Sequence, residues 1–323
     1  SRVVAKPSPT ISPTIGPKTS LLFGLFLLLV SIAPVHAMEE VEQARNLLKK
    51  MAAANRELDY RGSFTYEYAG TLKAVRITHV VADDLEYESL LYLNGPRREV
   101  IRGGLSPDCR KGGDDFLAGV PVPTEFASHL EANYELYLRG EDRVADRDVR
   151  VIHVVPKDGM RYGYILSLDK ETGLLLQSLL VGTSRRVMER FQYVDISYQL
   201  DSGEKAVLVA RGREAPAVGG CEEPSVAGLK WQAKWLPDGF RLVSASSQVE
   251  GQTSMVFSDG LSFVSVFVSA DGNPAFPPIQ AQRGATVAQL ARLNHNGKEY
   301  AICVVGEVPP TTAERIAQFV GPK

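Results

Sequence analysis

The sequence is poor in the residues from which most catalytic and metal centres are built. Its 323 residues include only three cysteines, five histidines and two tryptophans. It contains no H-E-x-x-H, no paired C-x-x-C, no G-x-S-x-G and no strand-linked G-x-G-x-x-G. These motifs are the usual signatures of zinc peptidases, zinc ribbons, serine hydrolases and dinucleotide-binding enzymes, so the sequence gives no support for these classes. We therefore predict no catalytic residues, no metal ligands and no cofactor.

An excess of one charge is also absent. The 36 basic and 38 acidic residues give a formal net charge of −2, whereas nucleic-acid-binding domains are usually strongly basic. Hydrophobic residues make up 44 % of the chain, which excludes a disordered or collagen-like protein and suffices for a sizeable core. We expect a globular protein of about two domains that does not bind nucleic acid.

The amino end has the pattern of a secretory signal peptide. Lys6 and Lys18 precede an uncharged apolar run over residues 21–30, and Val35-His36-Ala37 provides an A-x-A-like cleavage site. The run is shorter than the roughly 20 apolar residues that span a bilayer. We predict a signal peptide over residues 1–37, cleavage after Ala37 and export to the periplasm. An uncleaved signal anchor is the alternative.

Export would place the three cysteines in an oxidising compartment. Cys109 and Cys221 lie in polar, glycine-rich stretches, whereas Cys303 lies in the apolar run Tyr-Ala-Ile-Cys-Val-Val. This difference predicts a disulfide bond between Cys109 and Cys221, with Cys303 as a packed thiol.

Hydrophobic spacing predicts two domains of mixed α and β structure. Residues 39–57 have helical spacing, and from Gly62 to residue 199 the pattern changes to short alternating strands joined by tight turns, typical of an antiparallel meander. Residues 200–228, rich in glycine, are predicted to be a linker. The domains are thus predicted at residues 38–199 and 229–323, the second ending in a helix capped by the box Thr311-Thr-Ala-Glu314.

Several motifs, in this order and spacing, resemble the RseB/MucB family of periplasmic sigma-E factor regulators, and MucB most. The resemblance runs from about residue 40 to residue 320. Its landmarks are Gly62-Ser-Phe-Thr-Tyr66, Leu93-Asn-Gly-Pro-Arg-Arg-Glu-Val100, Arg143-Val-Ala-Asp-Arg147, Arg161-Tyr-Gly-Tyr164, Leu168-Asp-Lys-Glu-Thr-Gly-Leu174, Trp231 to Phe240, Ser258-Asp-Gly-Leu261 and Val304-Val-Gly-Glu-Val-Pro309.

The resemblance implies a mainly β, α+β fold. The first domain would be an unclosed antiparallel β-barrel like LolA and LppX with helices on its concave side, and the second a smaller α+β domain. It also implies a negative regulator that binds the periplasmic part of a membrane-anchored anti-sigma factor such as RseA or MucA. That binding would shield the anti-sigma factor from site-1 proteolysis until lipopolysaccharide or another acyl lipid releases it. In MucB-like systems this envelope stress response includes control of alginate production.

Alternation and charge then select candidate binding residues. Those for an acyl chain are Phe64, Tyr66, Tyr68 and Leu91, while Arg98 and Arg102, which share one strand face, could hold phosphate. Trp231 and Trp235 are interpreted as core anchors, with a partner-binding platform as the alternative. A periplasmic lipid or lipoprotein carrier of LolA type is the alternative function, an exported hydrolase is disfavoured, and self-association is left open.

Overall fold

The computed structural model describes residues 33–105, 127–215, 228–247, 252–270 and 279–323. Cys109 and Cys221 lie outside these ranges, so their predicted bond remains a prediction. Cys303 is a free, half-buried thiol, and burial raises its pKa. Within the described ranges, none of the helices combines the length and apolarity needed to span a membrane.

The first domain is built on one antiparallel sheet of nine strands in the order β4-β3-β2-β1-β9-β8-β7-β6-β5. The outermost strands β4 and β5 do not pair with each other in the described structure, so the sheet is unclosed, as expected. The strands are β1 (Tyr60–Tyr68), β2 (Thr71–Ala82), β3 (Leu85–Tyr92), β4 (Arg98–Leu105), β5 (Tyr134–Val144), β6 (Arg147–Pro156), β7 (Gly163–Asp169), β8 (Leu175–Val181) and β9 (Val187–Ser197).

Three helices pack on the first domain, on opposite sides of its sheet: α1 (Ala33–Glu57), α2 (Ala127–Asn133) and α3 (Ser202–Glu214). We call the face that carries Phe64, Val75 and Ile152 the inner face, and α1 covers it with Leu48 and Met51. All five side chains are at most 2 % exposed, and burying each contributes about 1.5–3 kcal/mol. The inner-face helix α1 thus agrees with the predicted arrangement.

Helix α3 lies on the opposite, outer face and lies within the residues predicted as a linker. Asp201 caps its first turn by accepting the Gly203 N–H at 2.7 Å. Leu208 packs against Val80 and Tyr87. The first half of the predicted linker is therefore a helix bound to the first domain.

The second domain has a six-stranded antiparallel sheet in the order β11-β12-β13-β16-β15-β14. Helix α4 (Pro310–Gln318) packs on one face of this sheet through Ala313, Ile316 and Ala317. A two-stranded sheet joins β10 to β17. The strands are β10 (Trp231–Ala233), β11 (Arg241–Ser247), β12 (Thr253–Ser258), β13 (Phe263–Ser269), β14 (Gln280–Arg283), β15 (Thr286–His295), β16 (Lys298–Gly306) and β17 (Val320–Pro322).

The predicted capping box of α4 is wrong. Pro309 occupies the N-cap position without a side-chain cap, and the helix begins at Pro310. Two consecutive prolines fix the backbone dihedral φ and lack N–H groups, so the helix starts one residue before the predicted cap. Thr312 instead donates its hydroxyl to the Met160 carbonyl of the first domain at 3.0 Å.

Candidate functional site: the contact between the domains

Two segments of the second domain reach the inner face of the first. One is the loop from Ser258 to Ser262, and the other is the turn between β14 and β15, which contains Gly284. Leu261 of the loop and Ala285 after the turn are at most 2 % exposed and belong to the hydrophobic core under α1. The two domains therefore share a core on the inner face.

A buried ion pair anchors the loop. Arg161, fully buried, donates from Nη1 to Asp259 Oδ2 at 2.6 Å, and Tyr134 donates its hydroxyl to the same oxygen at 2.8 Å. Arg161 also donates from Nη2 to the Asp238 carbonyl at 2.7 Å, and its guanidinium lies 5.4 Å from the Phe240 ring centre. Burial, reinforced by the Asp259 charge, holds the pKa of Tyr134 well above its ordinary value.

The turn between β14 and β15 is held by a carboxylate. Glu189 on β9 accepts the Ala285 N–H at 2.9 Å through Oε1 and the Tyr66 hydroxyl through Oε2. Gly284 has φ of +62°, and a Cβ there would lie 2.9 Å from Glu189 Oε1, so a side chain at this position would be strained and would push Glu189 away. Burial, followed by the hydrogen bond to Glu189, raises the pKa of Tyr66.

A second carboxyl group lies close to Glu189. Burial, with a contribution from the Glu189 charge, raises the pKa of Glu307 from 4.5 to about 7. At neutral pH the contact between the domains therefore contains a carboxyl group that titrates.

An aromatic and cationic cluster borders the same turn. The ring centres of Tyr66 and Tyr68 lie 5.2 Å apart. Lys73 Nζ lies 5.2 Å from the Tyr68 ring centre, and the Arg283 guanidinium lies 5.3 Å from it. Lys73 belongs to the first domain and Arg283 to the second. Cation–π contacts of this kind contribute about 0.5–1 kcal/mol each at exposed positions, so the cluster adds modestly to the contact.

The predicted acyl-binding residues fall on both faces of the sheet. Phe64, Tyr66 and Tyr68 lie together on the inner face, where Phe64 is fully buried and the two tyrosines are half-buried. Leu91 pairs with Glu99 and lies on the outer face. The structure therefore does not bring Leu91 to the other three, because on β3 Leu90, and not Leu91, lies on the inner face.

The two predicted phosphate-binding arginines share a face, as expected, but differ in surroundings. Arg98 is exposed, with its guanidinium 5.0 Å from the Tyr92 ring centre. Arg102 points inward, and its Nη1 lies 3.9 Å from Glu88 Oε2. Arg98 is the better placed of the two for a ligand arriving from solvent.

The two tryptophans also differ. Trp231 is a core residue of the second domain, with its ring 4.6 Å from that of Tyr300, as the core-anchor interpretation expects. Trp235 is half-buried, and the Arg315 guanidinium lies 4.1 Å from its ring centre. Trp231 is therefore unavailable as a binding platform in this arrangement.

Sequence reasoning missed Glu189, Ala285 and the pairing of Arg161 with Asp259. A signal was present in the last case, since Arg161-Tyr-Gly-Tyr164 and Ser258-Asp-Gly-Leu261 are both motifs of the family resemblance. These two motifs meet at the contact between the domains. Glu189 lies in a strand without any such motif.

Almost the whole chain is similar in sequence to known proteins. Residues 43–210 match the family model of the MucB/RseB N-terminal domain, and residues 225–321 match that of the MucB/RseB C-terminal domain. The Sigma factor AlgU regulatory protein MucB of Pseudomonas aeruginosa is 35 % identical over 93 % of this chain and 97 % of its own length. The Sigma-E factor regulatory protein RseB of Escherichia coli is 30 % identical over 85 % and 89 %.

Solved structures of MucB agree with these matches. A crystal structure of MucB in complex with MucA(peri) superimposes with a TM-score of 0.69 at 34 % identity, covering 87 % of this chain and 99 % of that one. A second crystal structure of MucB gives a TM-score of 0.61 at 32 % identity, covering 87 % of this chain and 98 % of that one. The likeness therefore extends over both domains.

Proposed function

This chain belongs to the MucB/RseB family of sigma factor regulators, and from this premise we propose that it binds the periplasmic segment of a membrane-anchored anti-sigma factor. The observation that carries the proposal is the match of both domains to MucB, including a MucB structure that holds the periplasmic part of MucA. Binding in the periplasm would keep a sigma-E-type factor under restraint.

The regulation would be stoichiometric and would need no catalysis. A bound protein that covers the anti-sigma segment excludes the site-1 protease simply by occupying the surface the protease must reach. The relatives are regulatory proteins by name, which supports a binding role. In this proposal the chain lowers the rate of the first cleavage in proportion to the fraction of anti-sigma factor that it occupies.

We further propose that an acyl lipid acts by competing with the second domain for the inner face. Tyr66 and Tyr68 are contacted by the turn that carries Arg283 and Ala285. An acyl chain packed on these tyrosines would have to displace that turn. The lipid and the closed domain arrangement would then exclude each other, and the lipid's effect is limited by its difference in affinity for the two arrangements.

Arg98 would receive the phosphate of such a lipid. It is exposed, lies on the same sheet face as Tyr66, and carries a guanidinium that can hold a phosphate in bidentate fashion. Arg102 is less suitable because it points at Glu88. The sequence predicts phosphate binding by both arginines, and our proposal assigns it to Arg98.

The experiment is a binding titration with the full chain. The chain is added to a fluorescently labelled periplasmic segment of the host's own anti-sigma factor, and lipopolysaccharide is then titrated into the complex. We expect saturable binding that lipopolysaccharide reverses, with Arg98→Ala requiring more lipopolysaccharide. Arg143→Ala is the matched control, because Arg143 on β5 is also an exposed arginine and forms a surface ion pair with Asp146 in the following turn.

The contradicting result is a chain that shows no binding to the segment while lipid or lipoprotein copurifies with it. That outcome would favour the carrier function. An Arg98→Ala variant with the same lipopolysaccharide response as the control would remove Arg98 from the lipid site but leave the anti-sigma interaction in place.

A further inference from the structure

We propose that His79, Glu86 and Glu88 form a binding site for one divalent first-row transition metal ion. His79 lies on β2 and the two glutamates on β3, all with side chains on the inner face. One ligand atom from each residue lies within 4.8 Å of the others, and all three residues are at most 3 % exposed. This site is separate from the contact between the domains and does not depend on the proposed function.

The orientation of the imidazole is the first argument. His79 Nδ1 lies 2.7 Å from the Leu58 carbonyl oxygen, which can only accept, so Nδ1 carries the proton. In the neutral ring Nε2 is then a lone-pair acceptor, and it faces Glu86 Oε2 at 3.6 Å. Among the described residues, no hydrogen-bond partner reaches Nε2. A buried ring nitrogen without a donor is unfavourable, and a cation bound at Nε2 would satisfy it.

The separation is the second argument. An N–H···O hydrogen bond would bring donor and acceptor to about 2.7–3.2 Å, which is shorter than the distance found. Zinc bonds to histidine nitrogen and carboxylate oxygen are about 2.0–2.2 Å, so two ligands of a tetrahedral ion are separated by about 3.3–3.5 Å. The 3.6 Å between Nε2 and Oε2 matches this second value more closely.

The surroundings are the third argument. A metal-binding histidine usually donates its other N–H to a carbonyl or carboxylate, as His79 does to Leu58. The Tyr60 ring stacks on the imidazole at 5.1 Å and fixes its plane. Imidazole and carboxylate together suit zinc, iron, nickel or copper better than calcium or magnesium.

The ion would have a structural role. It would join β2 to β3 and, through the Leu58 carbonyl that holds His79, fix the chain between α1 and β1. The ion would bind the folded chain and not the unfolded chain, and this difference stabilises the folded state. The melting temperature should therefore rise with the free metal concentration.

The experiment measures binding of Zn²⁺ to the full chain after chelator treatment, by competition with a zinc indicator and by thermal unfolding. We expect one equivalent per chain and a melting temperature that rises with Zn²⁺. His79→Asn keeps an amide N–H for the Leu58 carbonyl but has no Nε2, and Glu88→Gln weakens a second ligand. Each should lower the affinity at least about tenfold. His295→Asn and Cys303→Ala are the controls and should bind as the unaltered chain does.

A measurement on the unaltered chain covers the case in which the variants fold poorly. Zinc X-ray absorption should show nitrogen and oxygen ligands with one imidazole and no sulfur. The proposal is overturned if the chain binds no stoichiometric zinc, if sulfur ligands appear, or if His79→Asn and Glu88→Gln fold and bind zinc as tightly as the controls.

Discussion

Replacing Arg161 tests how the domains are held together. Arg161→Met keeps most of the side-chain volume but removes the guanidinium, and with it the bond to Asp259 Oδ2 at 2.6 Å and the bond to the Asp238 carbonyl at 2.7 Å. It also removes the two contacts to Asp158 at 3.0 and 3.2 Å. Asp259 would keep the Tyr134 hydroxyl as its donor on that oxygen.

The magnitude follows from burial. Asp259 is 3 % exposed and the Arg161 side chain is fully buried, so the variant leaves a carboxylate without its countercharge inside the shared core. Breaking a buried pair by removing one partner costs about 3–5 kcal/mol. Removing both charges together, as in Arg161→Met with Asp259→Leu, should cost less than the sum of the single changes, because Asp259 then no longer remains as a buried carboxylate without a countercharge.

The assay is urea unfolding monitored by tryptophan fluorescence, since both tryptophans lie in the second domain. Arg161→Met should lower the free energy of unfolding by about 3–5 kcal/mol, whereas the exposed control Arg143→Ala should change it by less than about 1 kcal/mol. A loss below about 1 kcal/mol for Arg161→Met would refute the assignment of this pair as the main interdomain anchor.

Three further predictions concern packing and pH. Gly103→Ala would place a Cβ 2.5 Å from the Gly212 carbonyl oxygen and should destabilise the docking of α3 by about 1–3 kcal/mol in urea unfolding, whereas Gly159→Ala, with open space around it, should be nearly neutral. Leu48→Ala should cost about 2–5 kcal/mol, and a smaller loss would contradict the core described under α1. The pKa of Glu307 is raised from 4.5 to about 7, so this group binds more protons in the folded state than in the unfolded state. Its contribution to the free energy of unfolding, on the order of 1–3 kcal/mol, should be complete below pH 4.5 and lost as the pH rises through 7. Glu307→Gln should flatten that part of the profile, and an unchanged slope would contradict it.

Local patterns in the sequence predicted the strand-rich first domain and the final helix of the second. The alternation of Arg98, Val100 and Arg102 on one face was also predicted and is confirmed by the register with β3. Helix α3 and strand β15 are among the elements that were missed. The apolar residues of helix α3 form one run, Ala206-Val-Leu-Val-Ala210, which lacks the spacing of an amphipathic helix. Strand β15 contains Ala-Gln-Leu-Ala-Arg-Leu, a run of good helix formers that the sheet overrides.

The sites depended on pairings that no local pattern contains. His79 and Glu88 are nine positions apart and meet only because β2 and β3 pair in that register. Glu189 and Ala285 meet across the contact between the domains. Leu91 was placed on the wrong face because a strand's phase depends on its partner as well as on its own alternation.

The central claim is that the chain shields an anti-sigma factor and that lipid ends the shielding. The direct test reconstitutes the membrane-anchored anti-sigma factor with its site-1 protease and follows cleavage with the full chain present, before and after lipopolysaccharide. The account predicts slow cleavage that becomes fast when lipopolysaccharide is added. Cleavage at the same rate with and without a saturating amount of the chain would contradict it.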